Sequence, residues 1–90
     1  MTQILRTVQI TNRKGLHARA SAKFVTVAAS LTAIVEVEKD GSKVVGTSIM
    51  GLMMLGAAMG DHIIVSAQGE GAEHAVTTLV ELVEAKFGED

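Results

Sequence analysis

One stretch of this 90-residue chain combines residue types that could handle a charged group: Lys14-Gly15-Leu16-His17-Ala18-Arg19-Ala20-Ser21. Gly15 permits a sharp turn, and a helical pattern begins just after His17. A residue at that position lies beside backbone N–H groups that have no intrahelical partner, at the positive end of the helix dipole. Such a place accepts an anion. Arg19, in the first helical turn, adds a fixed charge and donors suited to phosphate oxygens. If the anion is a phosphoryl group on His17, the positive surroundings disfavour imidazolium and keep the ring nucleophilic near neutral pH. They also offset the negative charge once the group arrives. Phosphoryl transfer asks for positioning and charge stabilisation more than covalent chemistry from the protein, so a sparse site suffices. On residue types alone, the reading of His17 as a helix-start histidine without chemistry stands ahead of the phosphoryl site.

A second candidate is Ser48: it or Thr47 is placed to cap a helix read from Ser48 to about Met59, a role worth about 1 kcal/mol. Within that helix Leu52 and Leu55 are expected to face the sheet, with Ile49, Met50 and Met53 on another side. A methionine stripe is core packing by default. Here apolar residues surround the helix, and one sheet cannot bury them all, so Ile49, Met50 and Met53 also suit a protein-docking surface. His62 starts a strand and His74 lies on the polar side of the last helix; neither is given a role. No local group of His, Asp and Glu has ligand spacing, so no metal and no cofactor is expected. Arg13, Lys14 and Lys23 suit either an acidic partner or a solvated surface. Asn12 is placed to hold the turn before His17.

The elements that must position these residues follow from periodicity. Ile4 to Thr11 alternates as a strand, with Ile4, Arg6, Val8 and Ile10 on one side, Arg6 spoiling an otherwise apolar face. Asn12 to Gly15 is a basic turn. Ala18 to Ser30 is an amphipathic helix with Ala22, Val25 and Ala29 as its stripe, flanked by Phe24 and Ala28. Thr32 to Lys39 alternates again, Asp40-Gly41 is a hairpin signal, and Ser42 to Gly46 returns. After the Ser48 helix, Gly60-Asp61 breaks the pattern and His62 to Ala67 is a β-branched strand. Ala72 to Phe87 is the last helix, with Ala75, Leu79, Leu82 and Val83 inward and Gly88 as its stop. The order βαββαβα predicts an α+β fold, a four-stranded antiparallel or mixed sheet with three helices on one face, as a single domain over residues 1–90.

Composition narrows the function classes. The chain is 48% apolar, enough to build a core at this length, with Phe24 and Phe87 as its only aromatic residues. A net charge of -2 without aromatic platforms argues against nucleic-acid binding. Basic residues cluster early, and acidic ones late (Glu81, Glu84, Glu89, Asp90). There is no cysteine, hence neither disulfide staple nor thiolate metal site. Met1 to Arg6 lacks the basic-then-apolar order of a signal peptide. The near-apolar stretch Ile49 to Met59 falls short of the roughly 20 residues a membrane span needs. The expectation is a cytoplasmic protein that avoids both membrane and nucleic acid.

Gly15-Leu16-His17-Ala18-Arg19 resembles the active-site motif of the HPr family, the histidine phosphocarriers of the bacterial phosphotransferase system. Thr47-Ser48-Ile49-Met50-Gly51-Leu52-Met53-Met54-Leu55-Gly56 resembles that family's regulatory-serine segment, and the likeness extends along essentially the whole chain. The resemblance implies an open-faced β-sandwich, four antiparallel strands covered by three helices. It implies a phosphoryl group on Nδ1 of His17, assisted by Arg19. The donor would be a phosphorylated enzyme I, charged from phosphoenolpyruvate, and the acceptor an enzyme IIA-type domain. Ser48 would be a substrate of HPr kinase/phosphorylase, and Ile49, Met50, Met53 and Ala20 would contact partners. Sugar-transport members usually carry proline where this chain has Ala20. The stretch from His17 to Phe24 looks more like the nitrogen-related branch, which implies a regulatory phosphorelay rather than sugar uptake. Transient partners imply a monomer and a stoichiometric carrier rather than an enzyme. Two other classes compete on residue content: a small non-catalytic ligand-binding regulatory module, and a phosphatase-like enzyme that binds phosphate at the same helix start. The latter lacks a second acid–base residue beside His17 in the sequence.

Overall fold

In the computed structural model, which describes residues 3–89, the order is β1 (Gln3–Gln9), α1 (Ala18–Ala29), β2 (Ile34–Lys39), β3 (Ser42–Val45), α2 (Ile49–Met54), β4 (His62–Gln68) and α3 (Ala72–Glu84). Met1, within the segment read for a signal peptide, and Asp90, in the acidic end, lie outside the described residues. The four strands form one antiparallel sheet in the order β1-β4-β2-β3.

Strand alternation decides which face the helices cover. Val8 pairs with Ile63, Arg6 with Val65, Val65 with Val37, and Ala67 with Val35. The apolar members of these rows are buried, with α3 packed over β1, β4 and β2. The opposite face carries Leu5, Ile34 and Val45, all more than half exposed. Arg6 lies on the covered side and escapes burial by reaching the Thr77 hydroxyl of α3, to which its guanidinium donates at 3.1 Å. Asp40 and Gly41, with φ of 50° and 85°, close the β2–β3 hairpin as a primed turn whose twist suits the flanking strands.

Three element readings are corrected by packing. The buried stripe of α1 is Ala20, Ser21, Phe24 and Ala28, whereas Ala29 is exposed and Ala22 and Val25 lie at the margin. The stripe turns because Phe24, fully buried, contributes more apolar area than the alanines expected at its centre. Helix α2 ends at Met54 rather than near Met59, because Gly56 takes a left-handed φ of 65° that a helix cannot continue through. Helix α3 ends at Glu84, ahead of Phe87. The chain then makes a 3₁₀ turn over Lys86–Gly88 in which Lys86 and Phe87 both have positive φ, 59° and 55°. Two such non-glycine residues cost on the order of 1–3 kcal/mol each. Complete burial of the Phe87 ring offsets part of this, by about 1.5–3 kcal/mol.

Candidate functional site

Turn, helix start and C-terminal segment converge on His17. In the loop from Thr11 to His17, Gly15 has φ of 63°, and a Cβ there would run into the Ala57 carbonyl oxygen and come within 2.9 Å of the Ala58 Cα. Only glycine fits. The adjacent Leu16 N–H donates to the Ala57 carbonyl at 2.9 Å, tying the loop to the chain just past α2. Ser21, buried in α1, donates its hydroxyl to the Leu16 carbonyl at 3.1 Å. Asn12, fully buried, holds the turn by donating Nδ2–H to the Gly15 carbonyl at 2.8 Å, as its turn position predicts.

His17 is the N-cap residue of α1, with extended backbone and no capping bond from its side chain. The first intrahelical bond runs from Ser21 N–H to the His17 carbonyl at 2.9 Å, so the amides of Ala18, Arg19 and Ala20 lie ahead of it. The ring therefore stands at the positive end of a 12-residue helix. Arg19 joins Arg13, Lys14 and Glu89 in lining an open cleft of about 230 Å³. Three cations and one carboxylate around this cleft make a place where a doubly charged anion is compensated.

Sequence reasoning missed the carboxylate. Glu89 presents both oxygens to His17 Nε2, at 2.9 and 3.0 Å, and accepts from Asn12 Nδ2 at 3.0 Å. The two side chains are 23% and 19% exposed, sheltered yet reachable. The surroundings of His17 are thus mixed in sign rather than uniformly positive as expected. The Asn12 hydrogen bond, followed by His17 and the more distant Arg19 charge, holds the Glu89 carboxyl below the usual carboxylate value, against a smaller opposing effect of burial. The signal that could have found Glu89 is weak: a lone acid past a helix stop, 72 positions away along the chain.

The remaining candidates fall into place separately. The Ser48 hydroxyl accepts from the Gly51 N–H at 2.9 Å, so Ser48, not Thr47, caps α2. Leu52 and Leu55 are buried as expected, against α1 and the β3 edge. Ile49, Met50 and Met53 are exposed, and Met54 at 80% more so than any of them. Ala20 is fully buried, so its methyl cannot meet a partner; the helix geometry that puts His17 at the cap turns position 20 into the core. Lys23 is not a free steering charge, since its ammonium donates to the Phe87 carbonyl at 2.7 Å. His62 and His74 are exposed and distant in sequence from one another, and among the described residues no three of His, Cys, Asp and Glu gather as a metal would require.

Comparison with known proteins gives concordant results. Residues 4–85 match the family model PTS-HPr, described as the PTS HPr component phosphorylation site. The phosphocarrier protein HPr of Neisseria meningitidis serogroup A is 45% identical over 82 residues, 91% of this chain and 92% of that protein. The phosphocarrier protein NPr of Shewanella violacea is 37% identical over 89 residues, 99% of this chain and 98% of that one. The crystal structure of HPr-C-His from Thermoanaerobacter tengcongensis superposes with a TM-score of 0.90 at 44% identity, covering 100% of this chain and 99% of that one.

Proposed function

The chain belongs to the HPr family of phosphocarriers of the bacterial phosphotransferase system, and on that premise we propose that Nδ1 of His17 receives a phosphoryl group from a phosphorylated enzyme I and delivers it to an enzyme IIA-type acceptor. Members of this family are stoichiometric carriers rather than catalysts, so each round ends with the histidine regenerated. The observation that supports the site is the imidazole at the α1 N-cap, in contact with Glu89, which lines a cleft together with Arg13, Lys14 and Arg19. In the transfer, the Nδ1 lone pair forms a bond to phosphorus as the bond from phosphorus to its donor atom breaks, the donor keeping that electron pair. The reverse sequence hands the group on. Arg19 and the leading amides of α1 compensate the equatorial oxygens in both directions.

The acceptor is read as part of a regulatory phosphorelay. Alanine at position 20 supports the nitrogen-related branch over sugar import, and the end-to-end alignment with a protein named NPr is consistent with it. Ile49, Met50 and Met53 are read as the docking face, beside the transfer site because the Leu16–Ala57 bond ties the His17 loop to the end of the α2 segment. Ser48 is read as a target of HPr kinase/phosphorylase. A phosphate there would set about two negative charges at the rim of that apolar face and repel an acidic partner. Among the described residues no helix is long and apolar enough to cross a membrane, which is compatible with a cytoplasmic relay.

The test is incubation with phosphoenolpyruvate and a cognate enzyme I, followed by intact mass at neutral and acid pH. One acid-labile phosphoryl group should appear, and His17→Ala should abolish it. An unchanged mass beside an enzyme I that is itself phosphorylated overturns the reading. ATP and the kinase should give an acid-stable adduct absent from Ser48→Ala; its persistence there removes Ser48 as the target.

A further inference from the structure

We propose that Glu89 is a positioning residue for phosphoryl transfer: it holds the proton of His17 on Nε2, leaves the lone pair on Nδ1, and faces the positive charge that the ring acquires when Nδ1 is phosphorylated. The last part rests on the carrier reading above; the first part stands on geometry alone.

A carboxylate only accepts hydrogen bonds, so an imidazole nitrogen at 2.9 and 3.0 Å from its two oxygens must be the one that carries hydrogen. A neutral imidazole has a single N–H, and assigning it to Nε2 makes Nδ1 the nucleophile. Both hydrogen bonds of the ring are on Nε2, and among the described residues none is on Nδ1. When Nδ1 bonds to phosphorus the ring keeps its Nε2 proton and becomes cationic, with the Glu89 carboxylate already in contact. When the group leaves, the same proton stays in place and the neutral tautomer is restored. No proton moves in either direction. The carboxylate lies at the Nε2 edge, so it does not occupy the position the phosphoryl group takes at Nδ1. Arg13, Lys14 and Arg19 line the same cleft and screen one anion from the other.

The tail is fastened for this task rather than draped over the site. Phe87 is fully buried, its carbonyl accepts from the Lys23 ammonium at 2.7 Å, and the Glu89 N–H returns to the Lys86 carbonyl at 2.9 Å. Asn12 then fixes one carboxylate oxygen from the side of the loop that carries His17. Helix α1, the active loop and the C-terminal turn each supply one constraint on the same side chain.

The experiment is long-range ¹H–¹⁵N spectroscopy of the full chain at about pH 8.5, above the usual imidazole range, with transfer rates measured on the same samples. In the wild type, His17 should be a single Nε2–H tautomer. Glu89→Ala should give mixed tautomers and slow transfer about tenfold, the lower range of what losing a histidine's outer hydrogen-bond partner costs. Glu89→Gln, whose carboxamide oxygen can still accept from Nε2, should keep the tautomer and slow transfer less than Glu89→Ala. Amide spectra report whether each variant is folded, and Glu89→Gln, nearly isosteric, keeps the test open if Glu89→Ala is not. Mixed tautomers in the wild type, or unchanged tautomer and rate in a folded Glu89→Ala, overturn the proposal. A wild type with the single tautomer that takes no phosphoryl group from phosphorylated enzyme I overturns the carrier reading instead, and leaves Glu89's hold on the ring standing.

Discussion

Asn12 commits both of its amide hydrogens, one to the Gly15 carbonyl and one to the Glu89 carboxylate, and its own Oδ1 is buried without a partner among the described residues. Flipping the amide would set that oxygen against a carboxylate and a carbonyl, so the orphaned acceptor is the consequence of aiming two donors correctly. Asn12→Asp should therefore be destabilising by about 3 kcal/mol, because it buries a second carboxylate against the first with no countercharge; denaturant unfolding measures this. The native Glu89 carboxyl sits below the usual 4.5. Its interactions thus stabilise the fold above that pH and are lost as pH falls through the lowered value. Release of the tail should accordingly appear only below about pH 4.5, as an acid-side change in the Gly88 and Glu89 amide signals; a transition centred above that value would contradict the sign. At this scale the helix start that carries His17 and Arg19 was legible in the sequence, because it is a local pattern, while the role expected of them came from the resemblance to the family. Glu89 was not, because its partnership is closed only by tertiary packing.

At the scale of elements, the short α2 depends on its cap more than a long helix would. Ser48 supplies the acceptor for the Gly51 N–H, and no acidic residue stands in the first turn to assist. Ser48→Ala should cost about 1 kcal/mol, read as a lower denaturation midpoint with an unchanged slope. The C-terminal turn is anchored differently. Phe87→Ala should cost about 3–5 kcal/mol through the cavity left behind, and it should free Glu89 as well, so that the His17 ring signals shift in a residue far from the substitution. A stability loss without that shift would mean that the turn holds by its hydrogen bonds alone. Strands, turns and the order of elements were readable because alternation and Asp40-Gly41 are short-range signals. The ends of α2 and α3 were misread for a physical reason. The apolar run continues through Gly56 with nothing in the pattern to mark its left-handed φ, and Phe87 satisfies the helical period although its backbone is left-handed.

Across the whole molecule, one sheet face is a core and the other is a surface, and the cross-strand register explains why apolar residues on the second do not form a core of their own. Leu5 lies opposite Ser66, Ser66 opposite Glu36, and Glu36 opposite Val45, so polar side chains stand between the two exposed aliphatics. Next along the strands, Thr7, Ile64, Glu38 and Lys43 form a row with a single aliphatic. The edge strand β3 is only four residues long and carries Lys43, features that discourage strand pairing with another chain. A broken apolar surface and a short charged edge favour a chain that works as a monomer, which sedimentation at micromolar concentration would test. The one-sidedness has a sharper consequence. Leu5→Lys, on the open face, should change stability by no more than about 0.5 kcal/mol. Ile63→Ala, three positions along in the pairing of β1 with β4 and facing the helices, should cost about 2–5 kcal/mol. Equal losses would mean that the open face is covered in solution, by a second copy or by another protein, and would overturn the expectation of a monomer.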